Sequence, residues 1–262
     1  MTYETLIVAA PAEHVVLVTL NRPEAANAFN TRMGRELLDV FEGFAAVAAS
    51  PRVVIVTGVG ERAFCAGADL KERNGMSDGD WVAQHELYEA MTRAILHAPM
   101  PVIAAVNGAA YAGGCEIALQ CDLIYAAEGA RFALTETTLG LIPGIGGPQL
   151  LARSAGPRRA KEVLLTGLPF TAQEALAWGV ANRVCPPDRL LEEALVTARR
   201  IAANAPLAVR AAKRVVDAGA GLPLEAAMAL DLEEYNRLVP TADRMEGVRA
   251  FNEKRKPVFR GE

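Results

Sequence analysis

The segment PVIAAVNGAAYAGGCEIAL, from Pro101 to Leu119, combines a short apolar strand, a glycine-rich turn and the start of a helix. The helix places one glutamate, Glu116, in an otherwise apolar stretch. A buried carboxylate is costly unless another group compensates it or a reaction uses it. Glu116 therefore needs either a partner or a chemical role.

Strand and helix patterns alternate on either side of this segment. The elements predicted before it are paired strands at TLIVAA (5–10) and HVVLVTL (14–20), a helix over about 31–50 and a strand at RVVIVTG (52–58). This alternation predicts an α/β layered core up to about residue 186, where the strand signals stop. From Asp188 onward the pattern is helical, which predicts a separate helical unit.

One helix of this unit carries an apolar stripe at helical spacing. The stripe consists of Leu224, Met228, Leu232, Tyr235 and Val239. Such a stripe can close over the core of its own chain or meet another subunit. We expect packing within the chain.

Length, composition and charge exclude several classes of protein. The 262 residues, 52% of them hydrophobic, suit one large domain or one domain with an appendage. The net charge of −4 gives no basic footprint for nucleic acid, and four cysteines without C-x-x-C spacing, with three histidines, give no recognisable metal site. No basic amino-terminal region precedes an apolar stretch, and no uncharged run has the length of a membrane span. These features predict a cytoplasmic protein that binds neither nucleic acid nor membrane.

Two short motifs imitate known functional signatures. GMSDG (Gly75–Gly79) matches the G-x-S-x-G motif of serine hydrolases, but the polar LKERN precedes it instead of an apolar strand. GVGERA (Gly58–Ala63) matches a dinucleotide-binding fingerprint, but no helical periodicity follows it. We interpret both as chance matches.

Two glycine-containing turns predict a different site. FCAGADL (Phe64–Leu70) and NGAAYAGGCE (Asn107–Glu116) place small residues where the chain leaves a strand, so their N–H groups are accessible. In the second turn the glycines lead directly into a helix, whose first N–H groups are free donors that favour negative charge. Two such donors that converge form an oxyanion hole.

Four motifs, taken together, resemble the enoyl-CoA hydratase, or crotonase, family. They are, in order, FCAGADL, NGAAYAGGCEIAL, FALTETTLGLIPGIGG and EGVRAFNEKRKP. The likeness extends from LNRPEAANAFN to the carboxyl end. It implies an α/β fold in which a spiral of β-β-α units with an acyl-CoA site occupies residues 1–190. A helical trimerisation domain would then occupy residues 191–262.

The resemblance also implies a reaction and its residues. In the family, two backbone N–H groups bind the thioester oxygen, and the matching positions are Ala68 and Gly113. Hydratases of the family use two glutamates around one water, and these match Glu116, which would activate the water, and Glu136, which would protonate C2. The implied activity is the reversible hydration of a 2-enoyl-CoA to a 3-hydroxyacyl-CoA. One departure is Ala112, where many relatives have a further glycine.

Coenzyme A binding and assembly are implied in the same way. The positions that match the family's coenzyme A site are Ala25, Ala26, Ala66 and Lys254, the last approaching the nucleotide from a neighbouring subunit. The family forms trimers, commonly paired into hexamers, so a homotrimer or a dimer of trimers is expected. Because coenzyme A is part of the substrate, we expect neither a separate cofactor nor a metal.

The resemblance leaves the substrate open. A short or medium 2-enoyl-CoA is the first expectation, and 3-methylglutaconyl-CoA is the alternative, with Lys71 or Arg73 facing its second carboxylate. Both side chains can equally be solvated, which is the commoner case for exposed basic residues. Some relatives shift the double bond instead, but retention of both glutamates favours hydration. Outside the family, the alternative is a serine hydrolase with Ser77 as nucleophile.

Overall fold

The computed structural model describes residues 3–46 and 51–262. The strands of this part of the chain are β1 (Leu6–Ala12), β2 (Val15–Leu20), β3 (Val53–Gly58), β4 (Ala63–Cys65), β5 (Val102–Val106), β6 (Ala109–Tyr111), β7 (Leu123–Ala127), β8 (Arg131–Ala133), β9 (Phe170–Thr171) and β10 (Arg183–Cys185). The helices are α1 (Thr31–Ala46), α2 (Leu70–Arg73), α3 (Asp78–Leu96), α4 (Gly113–Gln120), α5 (Gly147–Ala155), α6 (Pro157–Thr166), α7 (Ala172–Ala177), α8 (Leu190–Ala202), α9 (Pro206–Gly219), α10 (Leu224–Leu238) and α11 (Ala242–Asn252). The predicted helix over about 31–50 begins at Thr31 as expected, and its last four residues lie outside the described ranges.

The larger sheet has the strand order β1-β2-β3-β5-β7-β10. β1 and β2 are antiparallel, which confirms the predicted strand pair, and the remaining neighbours are parallel. Every residue of β3 and of β5 is buried. A parallel sheet is covered on both faces, which is why these strands are continuous apolar runs without alternation.

The smaller sheet has the order β4-β6-β8-β9, with β4, β6 and β8 parallel and β9 antiparallel to β8. Its strands are two or three residues long, so the chain leaves the sheet almost as soon as it enters. The glycine-containing turns that follow β4 and β6 consequently lie side by side. This arrangement places FCAGADL next to NGAAYAGGCE.

Helices cover the sheets and complete the core. α1 buries Met33, Leu37, Val40 and Phe41 and contacts α3. α8 contacts β3, β5 and β7 through its small buried residues, among them Ala194 and Ala198. Helix α8 is therefore packed against the larger sheet, within the same hydrophobic core. The division of the chain at residue 190 stays a prediction.

The four helices α8 to α11 follow the final strand, as the sequence predicts. An ion pair joins α9 to the rest of the chain, because Lys213 Nζ lies 2.8 Å from Asp122 Oδ2 and also donates to the carbonyl of Met100. α10 packs against α9, and Glu234 on α10 forms a salt bridge with Arg214 on α9.

The expected packing of the α10 stripe within its own chain is wrong. Its five side chains (Leu224, Met228, Leu232, Tyr235 and Val239) are between 41% and 71% exposed. The reason is that α10 packs against α9 and not against the sheets, which leaves these side chains largely exposed. The stripe is therefore available as an apolar surface.

GVGERA and GMSDG lack the secondary structure that dinucleotide binding and serine hydrolysis require. After Gly58 the chain turns and enters β4 at Ala63, so no helix follows GVGERA. The turn before Ser77 follows the short helix α2, and the Ser77 hydroxyl caps α3 by accepting a hydrogen bond from the Asp80 amide at 3.1 Å. Ser77 therefore has a structural role as a helix cap.

Candidate active site

The turn before α4 is shaped by close backbone contact between the two glycine-containing segments. A Cβ atom on Gly114 would lie 2.0 Å from the carbonyl oxygen of Cys65, so only glycine lets α4 begin against the end of β4. Ala112, immediately before α4, has φ 49° and ψ −127°. A residue with a side chain rarely adopts this backbone conformation, which glycine adopts without strain.

The N–H groups of Ala68 and Gly113 lie in these adjacent turns. The Cβ position of Gly67 is 3.2 Å from the Gly113 nitrogen, which shows how closely the turns approach. The backbone of Phe29 forms hydrogen bonds with the residues on either side of Ala68. Its N–H donates to the Gly67 carbonyl and its carbonyl accepts from the Asp69 amide, each at 2.9 Å. Within residues 3–46 and 51–262, neither the Ala68 nor the Gly113 N–H donates to a protein acceptor. Two unused donors are thus held in rigid backbone.

Glu116 lies one turn into α4 and is 2% exposed. Its Oε1 accepts two hydrogen bonds, from the Ile145 amide at 3.0 Å and from the Gly147 amide at 2.8 Å. Because α5 begins at Gly147, the carboxylate also occupies the positive end of that helix. Burial, together with the negative charge of Glu136, raises the pKa of Glu116 to about 7. The hydrogen bonds from the two backbone amides act in the opposite direction.

Glu136 follows β8, at the start of a single 3₁₀ turn over Glu136–Leu139. Its Oε2 is buried and has no hydrogen-bond partner in the described part of the chain. Burial raises the pKa of this carboxyl as well. An unpartnered buried carboxyl oxygen is costly, and a ligand group at this point would satisfy it.

The two carboxyls form one electrostatic unit. Since the charge of Glu136 raises the pKa of Glu116, the pair lie close enough for ionisation of one to oppose ionisation of the other. Such a pair keeps one proton near neutral pH and titrates as a coupled system. The arrangement supplies a carboxylate, a carboxylic acid and, through Ala68 and Gly113, two free N–H donors.

Three of the four positions predicted for coenzyme A lie together. Ala66 donates its N–H to the carbonyl of Ala26 at 3.1 Å, and Ala25 ends the 3₁₀ turn immediately before. Lys254 lies elsewhere, in the turn after α11, where its N–H donates to the Phe251 carbonyl. No hydrogen bond or ion pair in the described ranges joins Lys254 to the other three.

Sequence reasoning missed Asn27, which fixes the turn beside Ala26. It is buried with φ 56°, and its side-chain amide donates to the carbonyls of Val59 and Ala63 while its oxygen accepts from the Arg22 amide. The available signal was the residue type, because asparagine tolerates left-handed backbone better than other residues with a side chain.

The two candidate cations for a second substrate carboxylate differ in their surroundings. Arg73 donates from Nε to Gln84 Oε1 at 2.7 Å, and its guanidinium lies 4.2 Å from the centre of the Trp81 ring. Lys71 is exposed. Arg73 is therefore held in place by protein groups, whereas the Lys71 ammonium faces solvent.

Neither a metal cluster nor a membrane helix is found among the described residues. No group of three or more His, Cys, Asp or Glu side chains in these ranges is arranged to hold a metal ion. None of the helices assigned here combines the length and the apolar character needed to cross a bilayer.

Known proteins are similar to this chain in sequence and in fold. A family model described as enoyl-CoA hydratase/isomerase matches residues 11–262. The chain belongs to the enoyl-CoA hydratase/isomerase family. The crystal structure of an enoyl-CoA hydratase from Bacillus anthracis is similar with a TM-score of 0.96 and 42% identity, covering 99% of this chain and 100% of that one. The fold is accordingly the predicted crotonase fold, with two mixed sheets and carboxyl-terminal helices.

Two curated relatives are similar over nearly their whole length. The 2,3-dehydroadipyl-CoA hydratase of Escherichia coli is 41% identical, over 97% of this chain and 98% of its own. The short-chain-enoyl-CoA hydratase of Clostridium acetobutylicum is 38% identical, over 92% of each chain. Like other members of this family, the chain is an enzyme that acts on coenzyme A thioesters.

The raised pKa of Glu116 predicts a pH-dependent stability. The folded chain keeps this proton up to about pH 7, whereas an unperturbed glutamate releases it near pH 4.5. The folded state therefore binds more protons over that interval, and stability falls as pH rises through it. Relative to Glu116→Gln, the free energy of unfolding of the unmodified protein should drop by about 3 kcal/mol between pH 4.5 and pH 8 and then level off.

Urea unfolding at a series of pH values measures this difference. Glu61→Gln, at an exposed position, is the matched control for the loss of one carboxylate. A difference between Glu116→Gln and the unmodified protein that is constant from pH 4.5 to pH 8 would show that the folded chain does not raise this pKa.

Proposed function

We propose that this chain catalyses the reversible hydration of a 2-enoyl-CoA thioester to a 3-hydroxyacyl-CoA. The observation that carries the proposal is the pairing of Glu116 with Glu136, two carboxyls of raised pKa beside the free N–H groups of Ala68 and Gly113. Hydration needs both kinds of group at once.

The two N–H donors act on the thioester oxygen. When water adds to C3, negative charge moves through C2 to this oxygen, and fixed donors stabilise it more in the transition state than in the substrate. The amides of Ala68 and Gly113 need no reorganisation, because the surrounding backbone holds them in place. Binding energy at these donors is thus directed to the transition state.

The two carboxyls divide the proton transfers. Ionised Glu116 accepts a proton from water as the water oxygen bonds to C3, and protonated Glu136 gives its proton to C2. Each carboxyl ends in the opposite protonation state, so the pair as a whole is unchanged, and the reverse reaction uses the same steps. Burial keeps one proton on the pair near neutral pH, and the proposed roles require this proton to lie on Glu136 when water attacks.

Coenzyme A would lie along the backbone at Ala25, Ala26 and Ala66. The Ala66 N–H donates to the Ala26 carbonyl, and the buried Asn27 fixes the turn that contains Ala25 and Ala26. Lys254 would reach the nucleotide from a neighbouring subunit in a homotrimer or a dimer of trimers. The exposed stripe on α10 supports such an assembly, because monomeric proteins rarely expose large apolar patches.

Other reactions have less support. Isomerisation moves a proton between two carbons of the substrate and adds no water, so it does not require two carboxyls around a water. Serine hydrolysis would need Ser77 as a nucleophile, but its hydroxyl caps α3 and also donates to the carboxylate of Asp80. The pair of buried carboxyls therefore favours hydration.

For the substrate, we expect a short or medium 2-enoyl-CoA without a second charge. Arg73, the inner of the two candidate cations, is already engaged by Gln84 and Trp81. Catalytic efficiency (kcat/KM) should thus be higher on crotonyl-CoA or a longer straight-chain enoyl-CoA than on 3-methylglutaconyl-CoA. The loss of absorbance of the enoyl thioester measures the rate of hydration of each of the three substrates. A preference of orders of magnitude for the dicarboxylic substrate would contradict this assignment, and inactivity on all three would contradict hydration.

Replacing either glutamate by glutamine should stop turnover with little loss of binding. The substitution preserves size and removes the ionisable group, and a positioned acid or base contributes about 10² to 10⁴ in rate. We expect kcat to fall by that factor in Glu116→Gln and in Glu136→Gln. The dissociation constant of butyryl-CoA, a saturated thioester, should change far less, since the backbone donors remain.

Ser77→Ala is the control, and it should leave kcat unchanged. Near-normal turnover in Glu116→Gln would remove that residue as the base. Loss of turnover in Ser77→Ala, in a variant that stays folded, would support the hydrolase alternative instead.

A further inference from the structure

The loop that binds Glu116 is also held by Gln120. Gln120 lies four residues after Glu116 on α4, so both side chains leave the same face of the helix. The carboxylate of Glu116 accepts from the Ile145 N–H at 3.0 Å, and the side-chain amide of Gln120 donates from Nε2 to the Ile145 carbonyl at 2.5 Å. Both polar groups of Ile145 are therefore bound by one turn of one helix.

The fit around Gln120 requires a glycine in the loop. Gly146 has φ 109°, and a Cβ atom there would lie 3.0 Å from Gln120 Nε2. On the opposite side of the loop, the His85 ring on α3 packs against Gly144, where a Cβ would lie 2.5 Å from the ring. The loop is thus held between α3 and α4. The hydrogen bond from Gln120 to the Ile145 carbonyl is next to the hydrogen bond from the Ile145 N–H to Glu116.

The remaining half of the Gln120 amide is unpaired. Gln120 is 5% exposed, and its Oε1 has no hydrogen-bond partner within the described ranges. A buried amide with an unsatisfied oxygen is unfavourable for folding. A glutamine at this position is therefore not explained by full hydrogen bonding of its own side chain. The hydrogen bond that it donates to the Ile145 carbonyl does explain it.

We infer that Gln120 is a positioning residue for catalysis, which holds the Ile145 peptide so that its N–H stays directed at Glu116. The inference rests on the hydratase function proposed above. It assigns Gln120 no contact with substrate. Its effect passes through Ile145 to the orientation of the Glu116 carboxylate, and through that orientation to proton transfer from water.

The same contact influences the proton affinity of Glu116. The hydrogen bond from the Ile145 N–H stabilises the ionised carboxylate and so lowers its pKa, whereas burial and the charge of Glu136 raise it. Other ionisable groups around this unit are the buried Cys115 thiol, adjacent on α4, and, across the loop, His85 with Glu89 at 3.7 Å. Loosening Ile145 should weaken the stabilising bond and leave these groups unchanged.

Gln120→Met tests the inference, because methionine has a similar size and no donor. Turnover of crotonyl-CoA should fall about tenfold, since small displacements of catalytic groups are costly. The dissociation constant of butyryl-CoA should stay within about twofold of the unmodified protein, because Ala68 and Gly113 are untouched. The acidic limb of kcat/KM should move to higher pH by about half a unit to one unit.

Infrared titration of the ligand-free protein gives a readout that does not depend on activity. The carboxylic-acid band that disappears in Glu116→Gln identifies this group, and its midpoint should rise by the same amount in Gln120→Met. Gln149→Met, the same change at an exposed position on α5, should alter neither rate nor midpoint. Gln120→Asn retains an amide but is one methylene too short to reach Ile145, so it should behave like Gln120→Met and replaces it if that variant does not fold.

An unchanged midpoint together with unchanged turnover in folded Gln120 variants would overturn the inference. An equal weakening of thioester binding and turnover would also overturn it, since that is the effect of a general structural role. If the unmodified protein hydrates no enoyl-CoA, the proposed function fails, but the infrared midpoint still tests whether Gln120 acts on Glu116.

Discussion

The structure of the site depends on how one buried carboxylate is compensated. Glu116 is almost fully enclosed, and an uncompensated charge there would be prohibitively costly. Two N–H groups from the loop before α5 bind one of its oxygens, and the start of α5 adds the field of a helix amino terminus. This compensation is partial, which leaves a carboxyl whose pKa is about 7. A group with that pKa can both accept and release a proton near neutral pH.

The two sheets explain why the other parts of the site meet at Glu116. The long parallel strands of the larger sheet supply the rigid core, and the very short strands β4 and β6 bring two turns into backbone contact. That contact requires glycine at Gly114, because Cys65 occupies the space of a side chain. The free N–H groups of Ala68 and Gly113 are a direct consequence of this close packing. The fold and the proposed chemistry therefore use the same glycines.

Local patterns in the sequence were sufficient for part of this account. The apolar runs of β3 and β5 are buried strands because their apolar character is continuous, and α1 begins at the predicted Thr31. The order of the motifs identified the family and its fold correctly. The roles that the resemblance implied for Glu116 and Glu136, 20 residues apart in sequence, stay predictions.

The missing parts depend on contacts that no local pattern encodes. The amides of Ile145 and Gly147 lie 29 and 31 residues from Glu116, in a loop without periodicity, and any residue type except proline can supply an N–H. The bond from Gln120 to Ile145 is equally non-local. The α10 stripe shows a different limit, because periodicity identifies an apolar face but does not say what covers it.

The central claim is that Glu116 and Glu136 act together on one water in a single transition state. The most direct measurement is the turnover of the double variant Glu116→Gln/Glu136→Gln, compared with both single variants on the same enoyl-CoA. Because loss of either group already disables the shared step, the account predicts that the double variant is little slower than the slower single one. A loss equal to the product of the two single losses would contradict the account, since it is the result expected for residues that act independently.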